Sequence, residues 1–327
     1  MDPACAGMTI TKNTFKNMSD TSPKIIFMGT PEFAVPSLRA IHEKFGVAAV
    51  VTVPDKPKGR GLKLVPSPMK VAALELGIPV LQPESIKSPE FAEQIAALKP
   101  DIIAVIAFKI LPPSVYSQAK LGAFNIHGSL LPKYRGAAPI QWAIINGEKV
   151  SGVTSFLLKE KVDTGEILQT KQVEITDGMT AGELYYALMP LAAELAVETC
   201  DALLNGAATP IPQNDEEATP APKLFRENCK IDWKQQAEIV RNFIHGVSPV
   251  PGAWTEFEGK RMKILKADLA NSMWSAAGEF TIEGDEMFVA CETDGISLKE
   301  IQLEGKPVVR AADFVRGWRG EKSGCLK

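Results

Sequence analysis

Asn125 and His127 stand two residues apart at the head of NIHGSLLPKYRG, residues 125–136, in a chain of 327 residues with only three histidines. On a β-strand that spacing points both side chains to the same side. An Asn amide N–H is an uncharged donor suited to an oxyanion, and histidine exchanges protons near neutrality. A carbonyl attacked beside such a pair would find a donor for its oxygen and a carrier for a proton. A lone histidine is more often simply satisfied in a turn. Here the Asn on the same side, the rigid Leu-Leu-Pro run and the following Gly weigh against that.

These residues need a strand that ends where they stand, and the surrounding pattern supplies one. KIIFMG (24–29), VAAVVTV (47–53) and DIIAVIAF (101–108) are short apolar runs, with IPVLQ a weaker one. They alternate with helical segments: PEFAVPSLRAIHEKFG closed by Gly46, a helix near 68–76, and SPEFAEQIAALK. Continuous apolar strands separated by helices predict a parallel sheet covered on both faces, an α/β Rossmann-like domain. Ligands of such sheets lie beyond the carboxyl ends of the strands, and AFNIHGS (123–129) reads as one such end.

Several chemistries lack their usual handles. The first βα turn, MGTPEF, has one glycine and no GxGxxG, and the chain contains no P-loop, HExxH or GxSxG. Five scattered cysteines, without CxxC, suggest neither a disulfide framework nor a thiolate metal site, so no metal is expected. A net charge of −3 gives no overall nucleic-acid signature, so an anionic partner would need a local basic patch. No apolar run has membrane-spanning length; a cytoplasmic protein, monomeric and without membrane association, is expected. Residues 1–23 are polar and aperiodic and read as a disordered extension.

With these residues assembled, the chain resembles the folate-dependent formyltransferases, and among them those acting on a methionyl-tRNA. The resemblance rests on NIHGSLLPKYRGAAPIQWAIINGE followed by VDTGEIL, on IIFMGTPEFAVPSL and PDKPKGRGLKLVPSPMKVAA, and on PKLF, IDW and SPVPGAW further on. It implies a catalytic set of Asn125, His127 and Asp163, with 10-formyltetrahydrofolate as formyl donor and methionyl initiator tRNA as acceptor. It also implies that Ser129, Leu130, Leu131 and Pro132 contact the folate. Formyl transfer needs attack by a neutral amine, an oxyanion donor and a proton for the departing N10. Asn125 would supply the donor, worth about 2.7–4 kcal/mol in other acyl-transfer enzymes. His127 would move the proton, and Asp163 would hold the imidazole or an ordered water. Taken alone, Asp163-Thr164-Gly165 is an ordinary turn sequence. The preceding LLKEKV, with Leu158, Lys159, Lys161 and Val162, departs from the family pattern and leaves the shape of the Asp163 loop open. Lys133, Tyr134 and Arg135 are expected to face solvent.

PDKPKGRGLKLVPSP (54–68) is long for a βα connection and carries Lys56, Lys58, Arg60 and Lys63 around Gly59 and Gly61, with no acid among them. A solvated charged loop is the ordinary explanation; the resemblance implies instead that it reaches the tRNA acceptor stem. After a long helical stretch, residues 207–225 are rich in Pro and Ala and read as an interdomain linker that could be cut without unfolding what precedes it. Catalysis is therefore assigned to 24–206. Short alternating strands and Gly or Asp turns over 226–327 predict a β barrel, OB-like by the resemblance, for tRNA binding. Its local basic run is Lys260, Arg261, Lys263 and Lys266. Three readings compete: formyl transfer to charged initiator tRNA; formyl transfer to glycinamide ribonucleotide or an amino-sugar nucleotide, or formyl-folate hydrolysis; and a non-catalytic RNA-binding protein. The basic insert and barrel favour the first over the second, and the Asn, His and Asp set favours an enzyme over the third.

Overall fold

The strands β1 (Ile25–Gly29), β2 (Ala49–Val51) and β6 (Ile102–Ile106) are buried at every residue, the consequence of apolar runs with no polar face to offer water. The computed structural model describes residues 22–58, 63–271 and 276–327; of the segment 1–23 read as an extension, residues 1–21 lie outside the described residues. With β5 (Val80–Leu81), β7 (Gly122–His127), β9 (Val150–Leu157) and β10 (Ile167–Glu174), these strands form a seven-stranded sheet in the order β10-β9-β7-β6-β1-β2-β5. The pairs β1–β2, β2–β5, β1–β6 and β6–β7 are parallel. Chain order runs outward from β1 in both directions, so the switch point lies between β1 and β6.

Helices α1 (Val35–Phe45), α2 (Pro68–Glu75), α3 (Pro89–Leu98) and the single turn α4 (Pro113–Tyr116) connect these strands. The sequence predicts a helix from residue 31, but Glu32–Ala34 form a 3-10 turn and the α-helix begins at Val35. Pro36 explains the delay: without an N–H it is tolerated only in the first helical turn. Ser67 and Ser88 cap α2 and α3 by accepting the amide N–H of Lys70 and Phe91, at 3.1 and 3.2 Å. On one face of the sheet Ile26, Met28, Val51, Ile103 and Val105 pack with Phe91 and Ile95. Burying a side chain such as Phe91, 2% exposed, stabilises by about 1.5–3 kcal/mol.

Within 54–68, read from the sequence as a loop, the described residues include two short strands. β3 (Lys56–Lys58) and β4 (Lys63–Val65) pair antiparallel as a ribbon. Beyond it, β8 (Arg135–Gly136) leads into α5 (Pro139–Ile145), and α6 (Ala181–Leu204) is the long helix expected before the linker. In the linker, β11 (Pro220–Ala221) pairs with β8. After α7 (Ala237–Gly246) the chain forms β12 (Ala253–Phe257), β13 (Lys260–Ala270), β14 (Glu279–Glu283), β15 (Glu286–Ala290), β16 (Gly295–Leu303) and β17 (Val309–Arg310). α8 (Ala311–Gly317) and β18 (Ser323–Cys325) complete it. The order is β12-β13-β16-β15-β14-β18, with β17 on β16, and neighbouring strands pair antiparallel. Register shifts at Ile264/Lys266 and Lys266/Ala267 mark where β13 bends, as a sheet curling toward an OB-like barrel requires.

Contacts divide the chain into two units. One comprises residues up to His127 with 155–169 and 189–212; the other comprises 128–154, 170–188 and 213–327. The second unit thus contains the chain just after His127 as well as the C-terminal sheet.

Candidate active site

Asn125 and His127 occupy the carboxyl end of β7, in register with β6 through Val105↔Asn125 and Ile106↔Ile126. Asn125 Nδ2 donates to the Val105 carbonyl at 2.9 Å. A carbonyl can only accept, so the amide nitrogen is fixed toward β6 and the same NH2 retains a second N–H. At the adjacent end of β6 the chain turns through Ala107 at φ 48°, and β1 ends in Gly29, where a Cβ would come within 3.0 Å of the Ile106 carbonyl oxygen. A side chain at Gly29 would crowd these strand ends.

His127 is 6% exposed, and its Nδ1 lies 3.8 Å from Asp163 Oδ2. That is ion-pair range, longer than a hydrogen bond. Asp163 has φ 56°, a left-handed conformation that Asp tolerates better than most residues. The loop carrying it is tied at its base: Leu158 N–H donates to the Ala123 carbonyl at 2.8 Å, and Leu157 N–H to Glu166 at 2.9 Å. A Cβ on Gly165 would meet the Leu157 carbonyl oxygen at 1.5 Å, so the Asp-Thr-Gly glycine is required by backbone contact. The atypical LLKEKV residues take part in this fixing. Lys159 pairs with Glu166 at 2.6 Å and holds that carboxyl below its usual range, while the Lys161 carbonyl accepts from Thr164 Oγ1 at 2.8 Å. Asn125, His127 and Asp163 are therefore brought together across 38 residues of sequence.

The other two histidines do different work. His42 Nδ1 accepts the Val47 N–H at 3.2 Å, and His245 Nε2 accepts the Ala267 N–H at 3.1 Å. Both are spent on backbone, whereas His127 faces a carboxylate.

In the second unit, Ser129 is fully buried and donates from Oγ to the Lys133 carbonyl at 2.7 Å. Thr154 Oγ1 donates to the Ser129 carbonyl at 2.7 Å and accepts from Leu131 N–H at 3.1 Å. Ser129–Pro132 is thus a fixed segment with Leu131 buried. The residues that follow correct the expectation that all three face solvent. Lys133 is exposed, but Tyr134 is 6% exposed and donates from its hydroxyl to Glu148 at 2.7 Å; burial, then that carboxylate, push its pKa up to about 12. The Arg135 side chain is 13% exposed and bonded to Gln213 and Asp215. No local pattern announces this, because the Tyr134 partner lies 14 residues away and the Gln213 partner of Arg135 lies 78 away.

The ribbon presents Lys56 as an exposed side chain and brings the backbones of Lys58 and Lys63 opposite each other. Arg60, with Gly59 and Gly61, lies outside the described residues, as do the side chains of Lys58 and Lys63. The C-terminal basic run is largely engaged within its own unit. Lys266 pairs with Glu183 at 3.1 Å, Lys263 donates to the Pro251 carbonyl at 2.7 Å, and the Arg261 guanidinium lies 4.4 Å from the Trp254 ring centre. Among the described residues no group of three or more His, Cys, Asp or Glu side chains is placed to hold a metal, and no helix is long and apolar enough to cross a membrane.

Against known proteins, the family model described as formyl transferase matches residues 23–200, and that of the formyl transferase C-terminal domain matches residues 223–319. The chain is 46% identical over 318 residues to the methionyl-tRNA formyltransferase of Chlorobium phaeovibrioides, covering 94% of this chain and 99% of that one. It is 45% identical to that of Clostridium novyi, covering 93% and 100%. Among solved structures, an N-formyltransferase from Helicobacter canadensis in complex with folinic acid and dTDP-3-aminofucose superposes with a TM-score of 0.65 at 22% identity, covering 84% of this chain and 98% of that one. A methionyl-tRNA formyltransferase from Clostridium thermocellum gives 0.55 at 17% identity, covering 77% and 95%. At those identities the structures speak for the fold.

Proposed function

The chain belongs to the formyl transferase family, and from that premise we propose that it moves the formyl group of 10-formyltetrahydrofolate to the amino group of methionyl initiator tRNA. The observation that carries the reading is the His127 to Asp163 approach of 3.8 Å beside Asn125 at one strand end. In this reading the neutral amine attacks the formyl carbon, a C–N bond forms, and the carbonyl oxygen becomes an oxyanion. The second N–H of Asn125, oriented by the bond to Val105, donates to that oxygen. His127, with Nδ1 toward Asp163, takes the amine proton at Nε2 and delivers it to N10 as the C–N10 bond breaks. The Asp163 carboxylate steadies the ring and faces the positive charge that develops on it.

Ser129, Leu130, Leu131 and Pro132 contact the folate in this reading, supported by the rigidity of their backbone. Lys56, Lys58, Arg60 and Lys63 contact tRNA phosphates, with transfer assigned to 24–206, the linker to 207–225 and further tRNA contact to 226–327. The protein acts as a cytoplasmic monomer. The test is transfer of labelled formyl from 10-formyltetrahydrofolate to charged initiator tRNA, beside uncharged tRNA, free methionine, glycinamide ribonucleotide and an amino-sugar nucleotide. Label in the charged tRNA alone is expected. Preferential labelling of any of the small molecules would reject the acceptor, and no transfer to any of them without hydrolysis of the donor would reject the enzyme.

A further inference from the structure

Residues 213–222 have no part in the chemistry above, yet the chain after Pro132 is built against them. Tyr134 N–H donates to Thr219 Oγ1 at 2.9 Å and Arg135 N–H to the Thr219 carbonyl at 2.8 Å. β8 and β11 pair in parallel, Arg135 with Pro220 and Gly136 with Ala221. Ala138 N–H then reaches the Ala221 carbonyl at 3.2 Å, and Trp142 Nε1 the Pro222 carbonyl at 2.8 Å. Gly136 has φ 129°, and a Cβ there would lie 2.6 Å from the Ala221 oxygen, so the two backbones meet where only glycine fits. Arg135 closes the arrangement: Nε and Nη2 both donate to Gln213 Oε1, at 3.0 and 2.7 Å, and Nη1 lies 2.7 Å from Asp215 Oδ1.

The segment Ser129–Arg135 is therefore held on one side by Thr154 and on the other by the linker. We propose that Gln213–Pro222 is a strap that sets the position of Ser129–Pro132, and that Arg135 is a positioning residue acting through Gln213. The proposal rests on the reading of Ser129–Pro132 as the folate contact. Its physical basis is preorganisation. A segment left with several accessible conformations must be ordered each time donor binds, and that cost appears in donor affinity. Arg135 donates to Gln213 from a planar fork, which a lysine ammonium cannot reproduce. Neither Arg135 nor Gln213 has a role in proton transfer or oxyanion binding, so once donor is saturating the chemical step is unaffected.

The experiment uses the full chain and the variants Arg135→Ala, Arg135→Lys, Gln213→Ala and the Arg135→Ala/Gln213→Ala double. Binding of 5-formyltetrahydrofolate is measured by titration calorimetry, and steady-state kinetics are run with 10-formyltetrahydrofolate and charged initiator tRNA. Arg135→Ala and Gln213→Ala are each expected to weaken analogue binding and raise donor KM about tenfold. The double should be no worse than the worse single, because both remove one interaction. Arg135→Lys should recover less than half of the loss, while kcat and the tRNA KM stay within about twofold of wild type. Gln213→Ala leaves Arg135 and the segment itself intact, so the proposal is testable even if Arg135→Ala folds poorly. Wild-type donor affinity in Gln213→Ala, or a fall in kcat with donor KM unchanged, overturns it. A wild-type chain that binds no formyl-folate would instead overturn the folate reading, and the proposal with it.

Discussion

His127 and His245 are buried to similar degrees, 6% and 2% exposed, yet they sit in opposite electrical surroundings. At the end of β7, His127 faces the Asp163 carboxylate. At the joint of α7 and β13, the His245 ring accepts a backbone N–H with Arg241 and Lys266 as neighbours. Burial, then those two positive charges, push its pKa down to about 4, against the opposing charge of Glu183. In the proposed function the first ring carries a proton during turnover, whereas the second is held neutral so that it can go on accepting. Burial does not distinguish the two histidines; the sign of the groups around them does.

Exchanging the two by mutation is the most direct way to break this comparison. His127→Ala should lower kcat by about 10²–10⁴-fold, the range of general acid–base catalysis, with a melting temperature close to wild type. His245→Ala should leave kcat near wild type and lower stability, because the Ala267 N–H loses its partner at a cost of about 1–3 kcal/mol before any cavity cost. Paired measurements of kcat and thermal unfolding decide. A stable His245→Ala protein with kcat reduced as far as in His127→Ala would erase the distinction.

Asn125 sharpens it on the catalytic side. Asn125→Ala should cost about 10²–10³-fold in kcat, as removal of one oxyanion donor does elsewhere. Asn125→Asp is the more telling variant. It preserves shape but sets an acceptor against the Val105 carbonyl and against the oxyanion, so its kcat should be no better than that of Ala. An Asp variant near wild type at neutral pH would remove Asn125 from the oxyanion role.

The structural histidine makes its own prediction through pH. Its folded pKa of about 4 lies below the ordinary 6.5, so the unfolded chain takes up the proton first on acidification. Stability from this group is complete above about pH 6.5 and declines as pH falls toward about 4, by about 3 kcal/mol in all. Urea midpoints at pH 7, 5.5 and 4.5 should fall in that order. In His245→Gln, whose side-chain oxygen can still accept from Ala267, the decline over this window should be shallower. An equal decline in both proteins would assign the acid sensitivity to other groups.

What the sequence made legible follows from the range over which physical signals act. Spacing of two on a strand placed Asn125 and His127 together, and uniform apolar runs predicted the buried strands, because both are properties of a few neighbouring residues. The pairing of His127 with Asp163 came only through family resemblance, since no local pattern links β7 to a loop beyond β9. The strap shows the limit. Pro and Ala in 207–225 predict a spacer, yet Thr219, Pro220 and Ala221 are bonded to Tyr134, Arg135 and Gly136. Composition reports what a segment can do alone, and a strand partner 85 residues away is not in it. The run at 260–266 likewise reads as a basic patch, although Lys263 and Lys266 already have acceptors.

That last difference, between cations already engaged and a cation held out to solvent, supplies the smallest of the expected effects. The base of the ribbon is fixed: Thr52 and Ser67 hydroxyls are 2.9 Å apart, and Asp55 binds Lys70 at 2.7 Å and Gln82 at 2.8 Å. Lys70, then Gln82, hold the Asp55 carboxyl below its usual range, so the acid next to Lys56 in the chain is already engaged. Lys56 emerges from this base exposed. A surface lysine meeting a phosphate adds little affinity by itself, but it displaces a counterion, and that is measurable. Lys56→Ala should make the dependence of tRNA affinity on salt shallower by about one contact, raise tRNA KM a few-fold at low salt, and leave kcat and donor KM unchanged. Lys266→Ala should alter that slope less, because Glu183 already holds its ammonium at 3.1 Å. Equal slopes in wild type and Lys56→Ala would remove Lys56 from the tRNA contact. A larger change in Lys266→Ala than in Lys56→Ala would mean that the local acceptor does not decide which cations serve the nucleic acid.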